Sequence, residues 1–240
     1  KRSSITAENC SHKKRRPFAV MLSGNERVRP LAGIASADLV FEMPVTKGGI
    51  NRIMAVYQSG DPEEIGSIRS ARHDFIPLAR GVDAIYAHWG GSHYALERLD
   101  AGIMDNIDAL SNRYDSFYRK DQYVRPDDGF TSIKRLISAA KNYGYRLKNQ
   151  FKGFVHTSPK QTKKAKNEKI LTLGYPGKYK VEWHYQPKQN NFTRFRNGRV
   201  ELDKLTGKAV TAKNIAIIRA SQSHLEGQYN DVHLDGTKEA

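Results

Sequence analysis

The sequence predicts an α/β (α+β) protein with a mixed sheet and flanking helices in an N-terminal domain, and a smaller β-rich C-terminal domain. Three observations carry this. Apolar runs of strand length at Phe18 to Leu22, Asp38 to Val45, Ile50 to Tyr57 and Ala84 to Ala87 precede helical spacing after Ser92 and Thr131. Composition then shifts near residue 145, and short alternating runs separated by turn residues follow. A chain of 240 residues, 38% of them hydrophobic, with 12 Tyr and 9 Phe, has enough apolar surface for two cores. The expected divisions are a flexible basic lead-in over 1–16, ending in Lys13, Lys14, Arg15 and Arg16, an N-terminal domain over 17–148 and a C-terminal domain over 149–240.

Charge narrows the partners. There are 40 Lys and Arg against 25 Asp and Glu, a net +15. From residue 151 onward the balance is 17 against 8. Such a surface attracts phosphates, acidic polymers, anionic headgroups or nucleic acid. The single cysteine, Cys10, excludes an internal disulfide framework and cannot build a zinc site alone. No apolar run reaches membrane-span length, and the polar start KRSSITAENCSHKKRR has no signal-peptide core, although a processed exported protein would read the same way.

Each element has its own justification. Phe18 to Leu22 reads as a short buried strand, followed by the loop SGNERVRPLAG, which carries Arg27 and Arg29. The next two runs flank TKGG, and a symmetric turn centred on Lys47 places Glu42 opposite Arg52. Alternation sets Asp38 and Glu42 on one face, either as a polar cluster with Arg52 or as a plain cross-strand salt bridge. IGSIRSAR then supplies Arg69, Ser70 and Arg72, with the arginines three apart and so on one side if a helix begins there. DAIYAHWGGS ends a strand at His88, turns through Gly90 and Gly91 and reaches Ser92, a helix cap ahead of Tyr94, Ala95, Leu96 and Leu99. The stretch from Met104 to Gly129, with Phe117, Tyr118, Arg119, Tyr123 and Arg125, reads as a ligand-facing lid or as a loop packed down by its aromatics. Thr131 is expected to cap a helix with Ile133, Leu136, Ile137 and Ala140 on one stripe, ending before Gly144. Beyond it come an expected strand at Phe151 to His156 and a lysine-rich hinge, PKQTKKAKNEK. Strands are then expected at Tyr179 to Gln186, at Phe192 to Arg196 with Val200 to Leu202 paired across an Asn197-Gly198 turn, and at Ile215 to Arg219.

The chemistry these residues suggest is anion binding. A strand feeding a glycine turn and a helix aims backbone N–H groups above the strand end, and arginine forks match phosphate or carboxylate. The expected ligand-binding set is Arg52, Arg69, Ser70, Arg72, His88, Gly90, Gly91, Ser92 and Arg119. If a reaction occurs there, Asp38 or Glu42 would act as base or hold a metal, and His88 would shuttle a proton. The alternatives are a glycine pair that merely turns the chain, solvated arginines and a satisfied core histidine. Gly90-Gly91-Ser92-His93-Tyr94 lacks the last glycine of a nucleophile elbow. No nucleotide-cofactor glycine pattern and no close metal-ligand spacing are present, so no cofactor is expected, with a divalent metal at His88, His93, Asp38 and Glu42 as the alternative. Tyr179, Trp183 and Phe192 lie among lysines and are able to stack bases, which leaves nucleic acid as a weaker reading beside a protein partner.

The blocks RPFAVML, RPLAGIASADLVFE, GGINRIMAVY, IGSIRSARHDFIPLA, DAIYAHWGGS, FTRFRNGR and LDKLTGKAVTAKNIAII together resemble the YerB-like lipoproteins, in order from about Arg16 to beyond Ile218. The resemblance implies an exported, lipid-anchored bacterial envelope protein with these two domains, and no reaction. Cys10 follows Ala7, Glu8 and Asn9, which departs from a lipidation box, so the implied anchor is absent from this chain. The end at DVHLDGTKEA falls inside the family's C-terminal domain, which puts its completeness in question. In organisation only, the acidic strand, paired arginines and Gly-Gly turn are also similar to the LytR-CpsA-Psr phosphotransferases, implying as the alternative function transfer or hydrolysis of lipid-linked or wall-polymer phosphates.

Overall fold

The computed structural model describes residues 2–47, 49–157, 166–175 and 177–234. Its N-terminal half contains β1 Phe18–Ser23, β2 Leu39–Pro44, β3 Asn51–Tyr57, β4 Ile65–Gly66, α1 Phe75–Gly81, β5 Ile85–His88, α2 His93–Asp100, β6 Asn106–Asp108, β7 Tyr118–Arg119, β8 Gly129–Thr131 and α3 Ile133–Asn142. Five of the strands form one sheet in the order β2-β3-β1-β5-β6. β1 runs antiparallel to β3 and parallel to β5, so the sheet is mixed. Alternation along β1 explains why both faces are covered. Phe18, Val20 and Leu22 face one core with Ile133, Leu136, Ala139 and Ala140 of α3. Ala19 and Met21 face a second core with Phe75, Ile76 and Ala79 of α1 and Ala95 and Leu99 of α2. The fold is thus the expected mixed sheet between helices.

The C-terminal half is smaller and β-rich. It holds β9 Ile170–Leu173, β10 Val181–Gln186, β11 Asn191–Arg196, β12 Arg199–Val200, β13 Thr211–Ala212, β14 Gln222–Leu225 and β15 Tyr229–Val232. β12-β11-β10-β9 form an antiparallel sheet, with β13 also on β11, and β14 and β15 form a separate hairpin. That hairpin lies against the N-terminal half, where Val232 packs on the second core and its N–H donates to Asp74 Oδ1 at 3.2 Å.

Several local expectations are corrected. The lead-in is tied down: Ser3 bonds Gln58 at 2.7 Å, Ile5 is only 5% exposed, and Arg15 and Arg16 pair with Asp61 and Asp105. An apolar side chain and available carboxylates give these residues reason to dock. Arg69 and Arg72 precede α1 in extended chain, where Arg69 N–H donates to Met21 O at 2.9 Å and Ala71 bridges Gly91. The cap of α3 is Ser132, whose hydroxyl accepts from Arg135 N–H, while Thr131 is buried in β8 and donates to Ser116 O. The expected lid is partly sheet, since β7 and β8 pair with each other and β8 with β4. Neither Phe151 to His156 nor Ile215 to Arg219 forms a strand, and Ile217 and Ile218 are exposed. Most of PKQTKKAKNEK lies outside the described residues.

Candidate functional site

The decisive local event is the register of the β2–β3 hairpin. Met43 stands opposite Arg52, and Glu42 opposite Ile53. The expected Glu42–Arg52 pair is therefore off by one residue, and a slip of one reverses the faces. Glu42 turns to the face of Ile53, while Arg52 turns to the face of Met54, on which Met21 and Tyr86 also lie.

There Arg52 meets Arg69 and Arg72. It is 5% exposed, and burial, then Arg69 and Arg72, push its guanidinium down to about 9, with Asp127 and Tyr179 offsetting part of this. Burial also lowers Arg72. The partners these cations find are few. Among the described residues Arg52 donates only to the Asn51 carbonyl, at a long 3.4 Å. Arg69 pairs with Asp127 at 3.0 Å, but Asp127 is shared with Arg27 at 3.3 Å. Arg72 donates to Ala71 O at 2.8 Å, and its guanidinium lies 5.7 Å from the centre of the Tyr229 ring. The Nε–H of all three is buried with no hydrogen-bond partner among the described residues. Each such group is desolvated without compensation, and an acceptor with several oxygens would satisfy them together.

The other expected residues are placed elsewhere or otherwise engaged. Asp38 Oδ2 accepts from the backbone N–H of Gln58 and Ser59 at 2.6 and 2.8 Å, a turn-capping role. Glu42 sits between Arg194 at 2.6 Å and Arg196 at 2.5 Å. His88 is fully buried, with Nδ1 2.9 Å from Gly90 O and Nε2 3.2 Å from the Asn106 side chain. Burial holds its imidazole below the ordinary value although Asp108 lies 3.8 Å away. His88, Asn106 and Asp108 line a cavity of about 240 Å³ that Tyr143 and Tyr145 also border. His93 pairs with Glu226 at 3.0 Å, so His88, His93, Asp38 and Glu42 do not converge as ligands.

The glycine turn is also spoken for. Gly90 takes a positive φ of 60°, its N–H donates to Asp108 at 2.8 Å, and its carbonyl accepts from Ala71 N–H. Ser92 N–H donates to Ala71 O, and the Ser92 hydroxyl caps α2. A Cβ at Gly91 would lie 3.0 Å from Leu96, so a side chain there requires Leu96 to shift. These residues hold the Arg69 to Arg72 segment in place. Ser70 is half-buried beside it. Arg119 forks onto Asp128 at 2.7 and 2.8 Å and lies 4.3 Å over the Trp89 ring.

Sequence reasoning missed Asp127 and Tyr229 at the arginine pocket, and it missed a buried ion network. Arg194 and Arg196 of β11 bind Glu42 of β2, while Arg194 and Arg29 bind Glu201 at 2.6 and 3.0 Å. Burial favours the neutral acid, but Arg194 and Arg196 outweigh it and hold Glu42 down to about 2. Glu201 is lowered in the same way by Arg194 and Arg29. Trp183, which the weaker nucleic-acid reading would put in a base-stacking surface, has Arg194 5.2 Å over its ring, and Tyr179 is buried, as the alternative of a core position has it.

Comparison with known proteins places this architecture. Residues 5–146 match the N-terminal domain, and residues 171–240 the C-terminal domain, of the family described as "Protein of unknown function (DUF3048)". The Bacillus subtilis (strain 168) protein described as "Putative lipoprotein YerB" is 33% identical over 210 residues, covering 87% of this chain and 63% of that protein. The chain thus spans less than two thirds of that relative's length. The crystal structure of YerB from Bacillus subtilis superposes with a TM-score of 0.85 at 31% identity, covering 98% of this chain and 80% of that one. Shared motifs, shared fold and matched domains agree: the chain belongs to the DUF3048 family of proteins of unknown function, alongside YerB.

Proposed function

We propose that this protein is a cell-envelope binding protein that takes a phosphate-bearing anion, such as an anionic envelope polymer, between Arg52, Arg69 and Arg72. One observation carries the reading. Arg52 is buried and Arg69 and Arg72 are half-buried within electrostatic reach of it, Asp127 pairs with Arg69 and Arg27, and each of the three arginines keeps a buried Nε–H with no partner among the described residues. Folding alone gains nothing from that arrangement, whereas a multivalent oxyanion relieves the repulsion and fills the hydrogen bonds together. Binding is favoured over turnover because Asp38, Glu42 and His88, the groups suited to acid–base work, are each engaged by protein partners. The envelope setting rests on the word "lipoprotein" in the relative's name and is carried here as part of the proposal.

The test is thermal unfolding at fixed ionic strength with chloride, inorganic phosphate or pyrophosphate. Native-state binding stabilises by about 2.7 kcal/mol at one hundred times Kd. Pyrophosphate should raise the melting temperature of the wild type and leave that of Arg52→Met unchanged. A wild type indifferent to both anions, or an Arg52→Met variant that responds equally, overturns the reading.

A further inference from the structure

His73 and Asp74 follow Arg72 directly and enter α1 in a buried setting, 2% and 5% exposed. Neither was singled out by motif, because the third member of their cluster lies 157 residues away, on β15. The C-terminal hairpin lays Asp231 against them. His73 Nε2 is 3.2 Å from Asp231 Oδ1 and 3.3 Å from Asp74 Oδ1. One donor atom from each of the three lies within 4.8 Å of the others.

A plain hydrogen-bonded reading leaves loose ends. One Nε2–H cannot point well at two carboxylates, and both separations exceed the about 2.7–2.9 Å of a charge-assisted bond. Asp74 Oδ2 and His73 Nδ1 are also buried without partners among the described residues. A metal bound at Nε2 would place the ring proton on Nδ1. Tetrahedral zinc, with bonds of about 2.0–2.1 Å, sets neighbouring donor atoms roughly 3.3–3.4 Å apart, close to the two separations from His73 Nε2, while the two carboxylates lie within 4.8 Å of each other.

We propose that His73, Asp74 and Asp231 form a divalent-metal site of the zinc class, which clasps the C-terminal hairpin to the N-terminal domain. One imidazole and two carboxylates suit zinc. Three protein donors leave one tetrahedral position for a water or a ligand oxygen. Two carboxylates brought beside one imidazole are balanced by a divalent cation. Arg72 belongs to the anion pocket, but the metal site stands on its own donors and does not depend on that pocket.

The experiment uses the untagged chain, stripped with chelator and titrated with Zn²⁺ or Co²⁺ alone. Expected are one equivalent of bound metal, a tetrahedral Co²⁺ visible band and a Zn²⁺-dependent rise in melting temperature. Asp231→Asn should abolish the band and weaken affinity at least ~10-fold, the lower limit for disturbing even outer-shell partners. The Asp231 side chain is 33% exposed, so this variant removes a ligand without emptying a core. His73→Gln provides a second ligand deletion from the other domain. The absence of a Co²⁺ band in the wild type overturns the proposal. So does an unchanged band in both variants, which would put the metal elsewhere. Zn²⁺ indifference together with a pH-dependent melting loss in Asp231→Asn would also overturn it, leaving an imidazolium clasp.

Discussion

At the scale of single residues, Arg52 shows how a side chain can oppose folding and still be kept. Its guanidinium is buried near Arg69 and Arg72, and the hydrogen bond it makes among the described residues is long. Arg52→Met keeps the stem and removes the charge, and replacing buried ionic groups by apolar ones is often stabilising by about 1–4 kcal/mol. We expect the ligand-free variant to be more stable in urea than the wild type, and a loss of stability would show that Arg52 is part of a satisfied network. Arg69 and Arg72 were legible as a pair because they lie three apart in IGSIRSAR, although they share extended chain rather than a helix. That Arg52 lies near Arg69 and Arg72 is what the fold shows, but the reason offered for its place was not correct. A turn centred on Lys47 placed it beside Glu42, whereas the actual register, Met43 opposite Arg52, brings it to the other arginines.

At the scale of elements, β11 departs most from its pattern. Alternation buries Val181 and Tyr185 of β10, with Tyr179 buried in the turn just before it, but Trp183 is half-buried like its neighbours Glu182 and His184. On β11 the buried positions are Arg194 and Arg196, because Glu42 and Glu201 wait opposite them. Hydrophobic periodicity has no means of seeing a carboxylate 152 residues away. Removing one partner of a buried pair leaves an uncompensated charge and costs about 3–5 kcal/mol. Glu42→Gln should lower the urea midpoint by a corresponding amount and loosen the C-terminal sheet from β2, as read by hydrogen exchange of β11 amides. An unchanged midpoint would mean that Glu201 alone satisfies both arginines.

At the scale of the whole molecule, the same network sets the response to acid. Glu42 is depressed in the folded state to about 2, from an ordinary 4.5, and Glu201 is depressed as well. Their contribution is therefore complete above about pH 4.5 and is lost as pH falls towards 2. Urea stability should already decline as pH falls from 7 to 5, because the buried His88 imidazole resists protonation, and should fall more steeply below 4.5, with a shallower fall there in Glu42→Gln; equal slopes below pH 4.5 would remove Glu42 from the account. The sequence by itself determined the fold class, the strands β1, β2, β3, β5, β10 and β11, the Ser92 cap and the family, because these rest on local periodicity, turn residues and ordered motifs. Only the tertiary structure decided which arginines lie near one another, which carboxylates neutralise β11, and that His73 and Asp74 meet Asp231. Those outcomes depend on strand register and on contacts between distant segments, where one residue of slip or one hairpin docked elsewhere would pair the same side chains with different partners.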